Sequence, residues 1–274
     1  MRGAGYEEGR NLAIEWRWGD GKVENLPALA ADLVDRKVEL IAAVLNDEIV
    51  AAMRATRKIP IVMLFGCAPV EIGLVASLGR PGGNVTGTTW YEPETTTKSL
   101  ELLKEVRPEA SRIAVLANRS YPGMSVYQAE ADRVAPLFGF RLQHFDVTRV
   151  EQLAVVLERI AVSRPDAFFF VQDPVLEPRM REIGAFALER RLASIGSTGA
   201  WPAYGGLLAY GADISEILQR AAGFIDRILR GARPADLPVE QPTRYEMSVN
   251  LKTAKILGIT IPQSVLARAD NVFE

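Results

Sequence analysis

Cysteine and histidine are nearly absent from this sequence, with one of each in 274 residues. The single cysteine, Cys67, excludes a disulfide within the chain. The single histidine, His144, removes most metal sites and catalytic mechanisms that depend on histidine. The chain also lacks the glycine-rich phosphate loops and the Gly-x-Ser-x-Gly turn of hydrolases. The sequence therefore predicts no cofactor, no metal and no catalytic residue.

Strong charge bias and long hydrophobic runs are missing as well. The formal net charge is −2, so a nucleic acid partner is not expected. No apolar run reaches the roughly 18–20 residues that span a bilayer. Residues 1–10 lack the apolar stretch of a signal peptide and are typical of a helix end leading into a loop. Because an α/β domain rarely begins this way, we expect a strand and a helix to be missing upstream.

Short apolar runs alternate with amphipathic patterns along the whole chain. This alternation is typical of βαβ units, in which parallel strands form a sheet covered by helices. The predicted strands are residues 11–18, 38–45, 59–65, 112–117, 140–147, 167–171, 192–196 and 205–210. The predicted helices are residues 24–36, 47–57, 70–78, 97–106, 125–138, 150–163, 177–190 and 214–229.

The run Arg80-Pro-Gly-Gly-Asn-Val-Thr-Gly-Thr-Thr-Trp90 separates two such α/β halves. It predicts an α/β fold of two lobes with parallel sheets, joined by a hinge of several strands. We expect lobe 1 at residues 1–89, lobe 2 at 90–210, a helix returning to lobe 1 at 211–235, and a crossover and tail at 236–274. Ligands of open α/β folds bind beyond the carboxyl ends of the strands, often between domains.

The residues that follow the predicted strands are therefore the candidate ligand-binding residues. They are mostly amides, hydroxyls and aromatics, which suit hydrogen bonding and stacking around a small polar or zwitterionic ligand. The candidates are Asn46, Gly66, Cys67, Trp90, Tyr91, Asn118, Arg119, Tyr121, Gln172, Asp173, Ser197, Trp201 and Tyr204.

Each type of candidate also has a structural interpretation. The amides and the serine can be N-caps of the helices that follow them. Trp90 and Tyr91 can pack at the hinge, Arg119 can be a solvated loop charge, and Cys67 can be a small buried residue. The loop position of Trp201 and Tyr204, between glycines, favours a wall against the ligand.

Several motifs carry a family resemblance that extends over essentially the whole chain. They include Leu74-Val-Ala-Ser-Leu-Gly-Arg-Pro-Gly-Gly-Asn-Val-Thr-Gly87, Gly5-Tyr-Glu-Glu-Gly-Arg-Asn-Leu12 and Gly231-Ala-Arg-Pro-Ala-Asp-Leu-Pro-Val239. The chain resembles the substrate-binding proteins of ABC transporters, in the family that includes tryptophan and aromatic amino-acid binding lipoproteins. The resemblance implies a type I periplasmic-binding-protein fold with two Rossmann-like lobes. It also implies a signal peptide, a first strand and a first helix in relatives, ahead of the segment that starts at Gly5.

The resemblance implies the solute-binding component of an importer rather than an enzyme. The ligand would be an amino acid or small carboxylate captured by hinge closure, the partner a membrane permease, and the location periplasmic or extracytoplasmic. Two departures stand out: Cys67-Ala68-Pro69 replaces the family's Gly-Asp-Pro, and Arg119 replaces the proline of an Asn-Pro loop. The first removes an acidic group, and the second favours a ligand that carries a carboxylate. The alternatives are the effector domain of a regulator and an α/β enzyme that uses carboxylates such as Asp173.

Overall fold

The computed structural model describes Gly3, residues 5–91 and residues 93–274, without the side chains of Tyr91 and Pro93. The chain divides into two compact units. Unit 1 consists of Met1–Tyr91 and Ile214–Thr243, and unit 2 of Glu92–Asp213 and Arg244–Glu274.

Helices and strands alternate through most of the chain. The strands are β1 (Ile41–Ala43), β2 (Ile61–Cys67), β3 (Val85–Tyr91), β4 (Arg112–Ala117), β5 (Arg141–Asp146), β6 (Ala167–Phe170), β7 (Ala193–Gly196), β8 (Leu208–Ala212), β9 (Tyr245–Asn250) and β10 (Asn271–Phe273). The helices are α1 (Leu26–Asp35), α2 (Asn46–Ala55), α3 (Pro93–Val106), α4 (Met124–Val134), α5 (Leu153–Ser163), α6 (Met180–Glu189), α7 (Ile214–Leu229), α8 (Leu251–Leu257) and α9 (Gln263–Leu266).

Unit 1 contains a three-stranded parallel sheet in the order β1-β2-β3. Side chains of β2 alternate between its two faces, as the period of a strand requires. Ile61 and Met63 join the core cluster that includes Ile49 of α2, while Val62 packs with Phe224 of α7. The sheet is therefore covered by helices on both faces, as the apolar runs predict.

Helix α7 begins and ends where its sequence pattern predicts. Its buried residues Ile217, Ala221, Phe224 and Ile228 recur at the spacing of one helix face. Among the helices of the described residues, none has the length and hydropathy that crossing a bilayer requires.

Unit 2 contains a seven-stranded sheet in the order β10-β9-β8-β7-β6-β4-β5. All four residues of β6 are buried, which explains its continuous apolar sequence. Phe168 and Phe170 pack with residues of α5 and α6 such as Ile160 and Ile183. The pairing is parallel except between β8 and β9, which run antiparallel, so the predicted parallel-dominated α/β class is confirmed with one antiparallel pair added.

Two predicted elements are wrong. Residues 11–18 do not form a strand, and the side chains of Trp16 and Trp18 stack on each other at 5.5 Å, 58% and 69% exposed. Alternating polarity does not make a strand without a neighbouring strand to accept its hydrogen bonds, and none pairs with residues 13–18 among the described residues. Residues 70–78 form turns rather than a helix, because Gly73 adopts a positive φ of 75°, which ends a helical turn.

Candidate functional site

The carboxyl ends of β4, β6 and β7 lie side by side, because these strands are neighbours in the parallel part of the unit 2 sheet. Asn118, Gln172, Asp173 and Ser197 follow these strands within three residues. The structure therefore brings four of the predicted residues together at one edge of the sheet, where hydrogen bonds link them in two pairs.

Asp173 is the acidic member of this group and is only 3% exposed. One carboxylate oxygen accepts a hydrogen bond from Asn118 Nδ2 at 2.5 Å, and the other accepts from the backbone N–H of Leu176 at 2.9 Å. Asn118 Oδ1 in turn accepts from the backbone N–H of Ser120 at 3.0 Å. These bonds fix the orientation of both side chains, so the carboxylate is held in place before any ligand arrives.

Gln172 and Ser197 form the second pair. The backbone N–H of Gln172 donates to Ser197 Oγ at 3.0 Å, and Ser197 is 2% exposed. The side-chain oxygen Oε1 of Gln172 is also buried, and it accepts no hydrogen bond from any part of the chain that the structure describes. The sheet edge thus holds a buried acceptor that the protein itself does not use.

The side chains considered as possible N-caps instead form hydrogen bonds between the ends of neighbouring strands. Helix α4 begins after Gly123, five residues beyond Asn118. Asn46 is the first residue of α2, and its amide donates to Cys67 O at 2.8 Å and accepts from Cys67 N–H at 2.9 Å. Ser197 likewise binds the adjacent loop through Gln172. Each side chain therefore holds two strand ends in register.

In unit 1 the predicted residues Gly66 and Cys67 are the last two residues of β2 rather than part of the following loop. A Cβ atom on Gly66 would lie 3.2 Å from the carbonyl oxygen of Thr88 on the neighbouring strand and 2.7 Å from the sulfur of Met63. Cys67 is 2% exposed. Gly66 therefore permits close packing of two strands, and Cys67 contributes a small buried side chain.

Two acidic residues at the start of α2 lie in a desolvated environment. Burial raises the pKa of Asp47, and burial together with the neighbouring Asp47 charge raises the pKa of Glu48. Glu48 also accepts a hydrogen bond from the backbone N–H of Leu45 at 3.1 Å. This bond favours the ionised form of Glu48 and opposes the effect of burial.

Aromatic candidates near the end of β3 and after β4 are largely buried. Trp90 is 8% exposed and meets the ring of Phe65 edge to face at 6.5 Å. Tyr121 is 4% exposed, and its backbone N–H donates to Asn118 O at 3.1 Å. The side chain of Tyr91 lies outside the described residues. Trp90 therefore packs against a ring of its own unit.

Trp201 lies in the core of unit 2, which differs from the expected position on a ligand wall. It is fully buried, its ring centroid lies 4.7 Å from that of Phe170, and its indole N–H donates to Ser194 Oγ at 3.2 Å. Tyr204 is partly buried against the same cluster, with the Arg181 guanidinium 5.7 Å from its ring. The glycines around this turn leave room for the indole ring against their backbone, so the sequence signal reflects packing.

Arg119 is exposed, and its backbone N–H donates to Asp146 Oδ1 at 2.6 Å. Asp146 was not among the predicted residues, because the sequence pattern places it inside the predicted strand 140–147, whereas it is the last residue of β5. It also borders a surface depression of about 620 Å³. The other residues lining this depression are Arg149, Glu151, Gln152, Val155, Val156 and Arg159.

The described residues offer no candidate for metal coordination. Within residues 5–91 and 93–274, no group of three or more His, Cys, Asp and Glu side chains is arranged to hold a metal ion. His144 instead places Nε2 2.7 Å from a carboxylate oxygen of Asp132. The chemistry available at the sheet edge is hydrogen bonding by amide, hydroxyl and carboxylate groups.

Comparison with known proteins gives consistent matches over the length of the chain. The profile of a family described as ABC transporter substrate binding protein matches residues 1–273. A tyrosine-binding protein from Clostridioides difficile is 28% identical over 255 residues, covering 93% of this chain and 73% of that protein. A crystallised domain from Streptococcus pneumoniae in complex with L-Trp is 25% identical, with a TM-score of 0.94 over 99% of this chain and 91% of that chain. A leucine-binding protein from Thermotoga maritima is 15% identical, with a TM-score of 0.52 over 79% of this chain and 64% of that chain, which is a likeness of fold alone.

Proposed function

The chain belongs to the family of ABC transporter substrate-binding proteins, and from this premise we propose that it binds a free amino acid, with aromatic amino acids as the favoured class, for import. The family match over residues 1–273 is the observation that carries the proposal. The ligand class follows from two relatives, one described as tyrosine-binding and one crystallised with L-Trp.

The chemistry of the unit 2 sheet edge supports binding of a small polar molecule. Asp173 offers a carboxylate whose orientation is fixed by Asn118, and Gln172 offers a buried carbonyl oxygen. Ser197 orients the Gln172 backbone rather than facing an activating base, so the group resembles a hydrogen-bonding site more than a nucleophilic one. The function is therefore reversible capture, and hinge closure around the ligand stays a prediction from the family resemblance.

A membrane permease is the proposed partner, and the proposed location is outside the cytoplasmic membrane. Both follow from what substrate-binding proteins of ABC importers do.

Thermal shift and calorimetry test the proposal directly. The purified chain is screened against L-tyrosine, L-tryptophan, L-phenylalanine, L-leucine and 4-hydroxybenzoate, with D-tyrosine as a control of stereochemistry. A ligand at 100 times its Kd stabilises the folded state by about 2.7 kcal/mol, which corresponds to a rise in Tm of roughly 5–10 °C for a chain of this size.

The expected result is saturable binding of at least one aromatic L-amino acid at one site, with no chemical change in the recovered ligand. A flat response to every compound, in both thermal shift and calorimetry, would overturn the proposal. If the wild type converts the ligand chemically and Asp173→Asn does not, that result would instead support the enzyme alternative.

A further inference from the structure

We propose that Gln172 determines the class of ligand, because its side-chain oxygen accepts a hydrogen bond from the ligand's ammonium group and so selects α-amino acids over the same carboxylates without an amine. This inference rests on the proposed function and names a specificity-determining residue at the same site.

The position of Gln172 is fixed by the fold. It lies two residues after Phe170, the last residue of β6, and directly before Asp173. Its backbone N–H is held by Ser197 Oγ at 3.0 Å. The backbone of Gln172 is therefore held at the sheet edge, one residue before a carboxylate whose orientation is fixed.

The other acceptors in this group already have donors within the protein. Asn118 Oδ1 accepts from Ser120, Ser197 Oγ accepts from Gln172, and the two oxygens of Asp173 accept from Asn118 and Leu176. Gln172 Oε1 differs, because it is buried and receives no donor from the described residues. The large majority of buried side-chain polar atoms in proteins have a partner, so we expect the donor to come from the bound molecule.

The surrounding charge indicates which donor fits. Asp173 directly follows Gln172 in the chain, so its carboxylate disfavours an anionic ligand group near the Gln172 carbonyl oxygen through the Coulomb interaction, which needs no direct contact. An ammonium group carries three N–H donors and a positive charge, and hydrogen bonds from a charged donor are about twice as strong as neutral ones. The chemistry at Gln172 therefore fits the amine end of an amino acid.

Calorimetry on two variants and two ligands tests the assignment. Gln172→Met keeps the length of the side chain and removes the acceptor, and Gln143→Met is the matched control at an exposed position of β5. The ligands are L-tyrosine and 3-(4-hydroxyphenyl)propionate, which has the same ring and carboxylate but no amine. We expect Gln172→Met to weaken L-tyrosine binding by about 10- to 100-fold and to change binding of the desamino compound by less than about threefold. Gln143→Met should change neither.

If the wild type does not bind the desamino compound, two further measurements test whether Gln172 Oε1 is the acceptor. Gln172→Glu retains an acceptor and should retain L-tyrosine binding, whereas Gln172→Met should lose it. The ligand-free Gln172→Met protein should have a Tm equal to or above that of the wild type, because it no longer buries an unpaired oxygen. A lower Tm would mean that Oε1 has a partner within the protein, and the proposal would fail.

Equal weakening of both ligands by Gln172→Met would also overturn the assignment, as would unchanged binding of L-tyrosine. Either result leaves amino-acid binding by the wild type intact, so the proposed function survives it. If the wild-type protein binds none of the amino acids in the panel, the proposed function fails and this inference fails with it.

Discussion

Replacing Trp201 by alanine should destabilise unit 2 strongly, which distinguishes a core residue from a ligand contact. The indole ring is fully buried, with ring centroids 4.7 Å from Phe170 and 6.3 Å from Phe168. Truncation of a buried tryptophan to alanine typically costs about 3–5 kcal/mol through lost burial and the cavity left behind. The lost N–H bond adds little, because Ser194 Oγ still accepts from the backbone N–H of Leu207 at 3.1 Å. The expected fall in Tm is on the order of 10 °C.

The packing around Trp201 offers an internal check on this magnitude. A Cβ atom on Gly206 would overlap the indole ring, and one on Gly196 would lie 2.6 Å from Trp201 Cγ. Gly206→Ala alone should therefore cost about 1–3 kcal/mol by overpacking. In the Trp201→Ala background the added methyl enters the cavity, so the cost of Gly206→Ala should nearly vanish. The double-mutant cycle should give a coupling free energy of at least about 1 kcal/mol.

Urea unfolding followed by circular dichroism measures the stability of the four proteins, and calorimetry at a temperature where all are folded measures their affinity for L-tyrosine. If Trp201 is a core residue, Trp201→Ala should lose much stability, and its effect should not add to that of Gly206→Ala in the double mutant. The core position of Trp201 would be contradicted if Trp201→Ala lost less than about 1 kcal/mol of stability but lost ligand binding. That outcome would restore the ligand-wall interpretation.

Three further predictions concern single residues. Asn46→Ala should cost about 1–3 kcal/mol in urea unfolding, because it removes both hydrogen bonds to the buried backbone of Cys67; an unchanged midpoint would contradict this. The Arg112 guanidinium lowers the pKa of Asp166 below its ordinary 3.8, so the stability from this pair is full above that value and is lost as pH falls below it. Asp166→Asn should therefore flatten the fall of Tm from about pH 4 to 2, and a parallel curve would argue against it. Cys67 should react with Ellman's reagent only as fast as the fold opens, and rapid labelling of the native protein would mean that it is accessible.

Much of the fold could be predicted because burial leaves a regular trace in the sequence. The apolar residues of α7 recur at the spacing of one helix face, and both of its ends are predicted correctly. The four residues of β6 form a continuous apolar run because both faces of the strand are covered. The α/β class follows from this periodicity. Motifs such as the segment that ends at Gly87 resemble the ABC substrate-binding family, and the match of the family profile confirms that resemblance. The type I periplasmic-binding-protein fold is likewise confirmed by the structural likenesses.

The errors arise where a local pattern depends on a partner elsewhere. Residues 11–18 alternate as a strand does, but a strand also needs a neighbour for its backbone hydrogen bonds. The antiparallel pairing of β8 with β9 joins residues that are far apart in the chain, from Leu208 with Val249 to Ala212 with Tyr245, and no local pattern encodes that direction.

For the candidate site, the sequence alone determined which chemical groups follow the strands, because parallel strands place their carboxyl ends at one edge. Asn118, Gln172, Asp173 and Ser197 were all selected on this ground. Only the tertiary structure decided which of their acceptors are occupied within the protein and that Gln172 Oε1 has no donor among the described residues. It also decided that Trp201 fills the core, since burial depends on residues from α5, α6 and β6 that converge only in the folded chain.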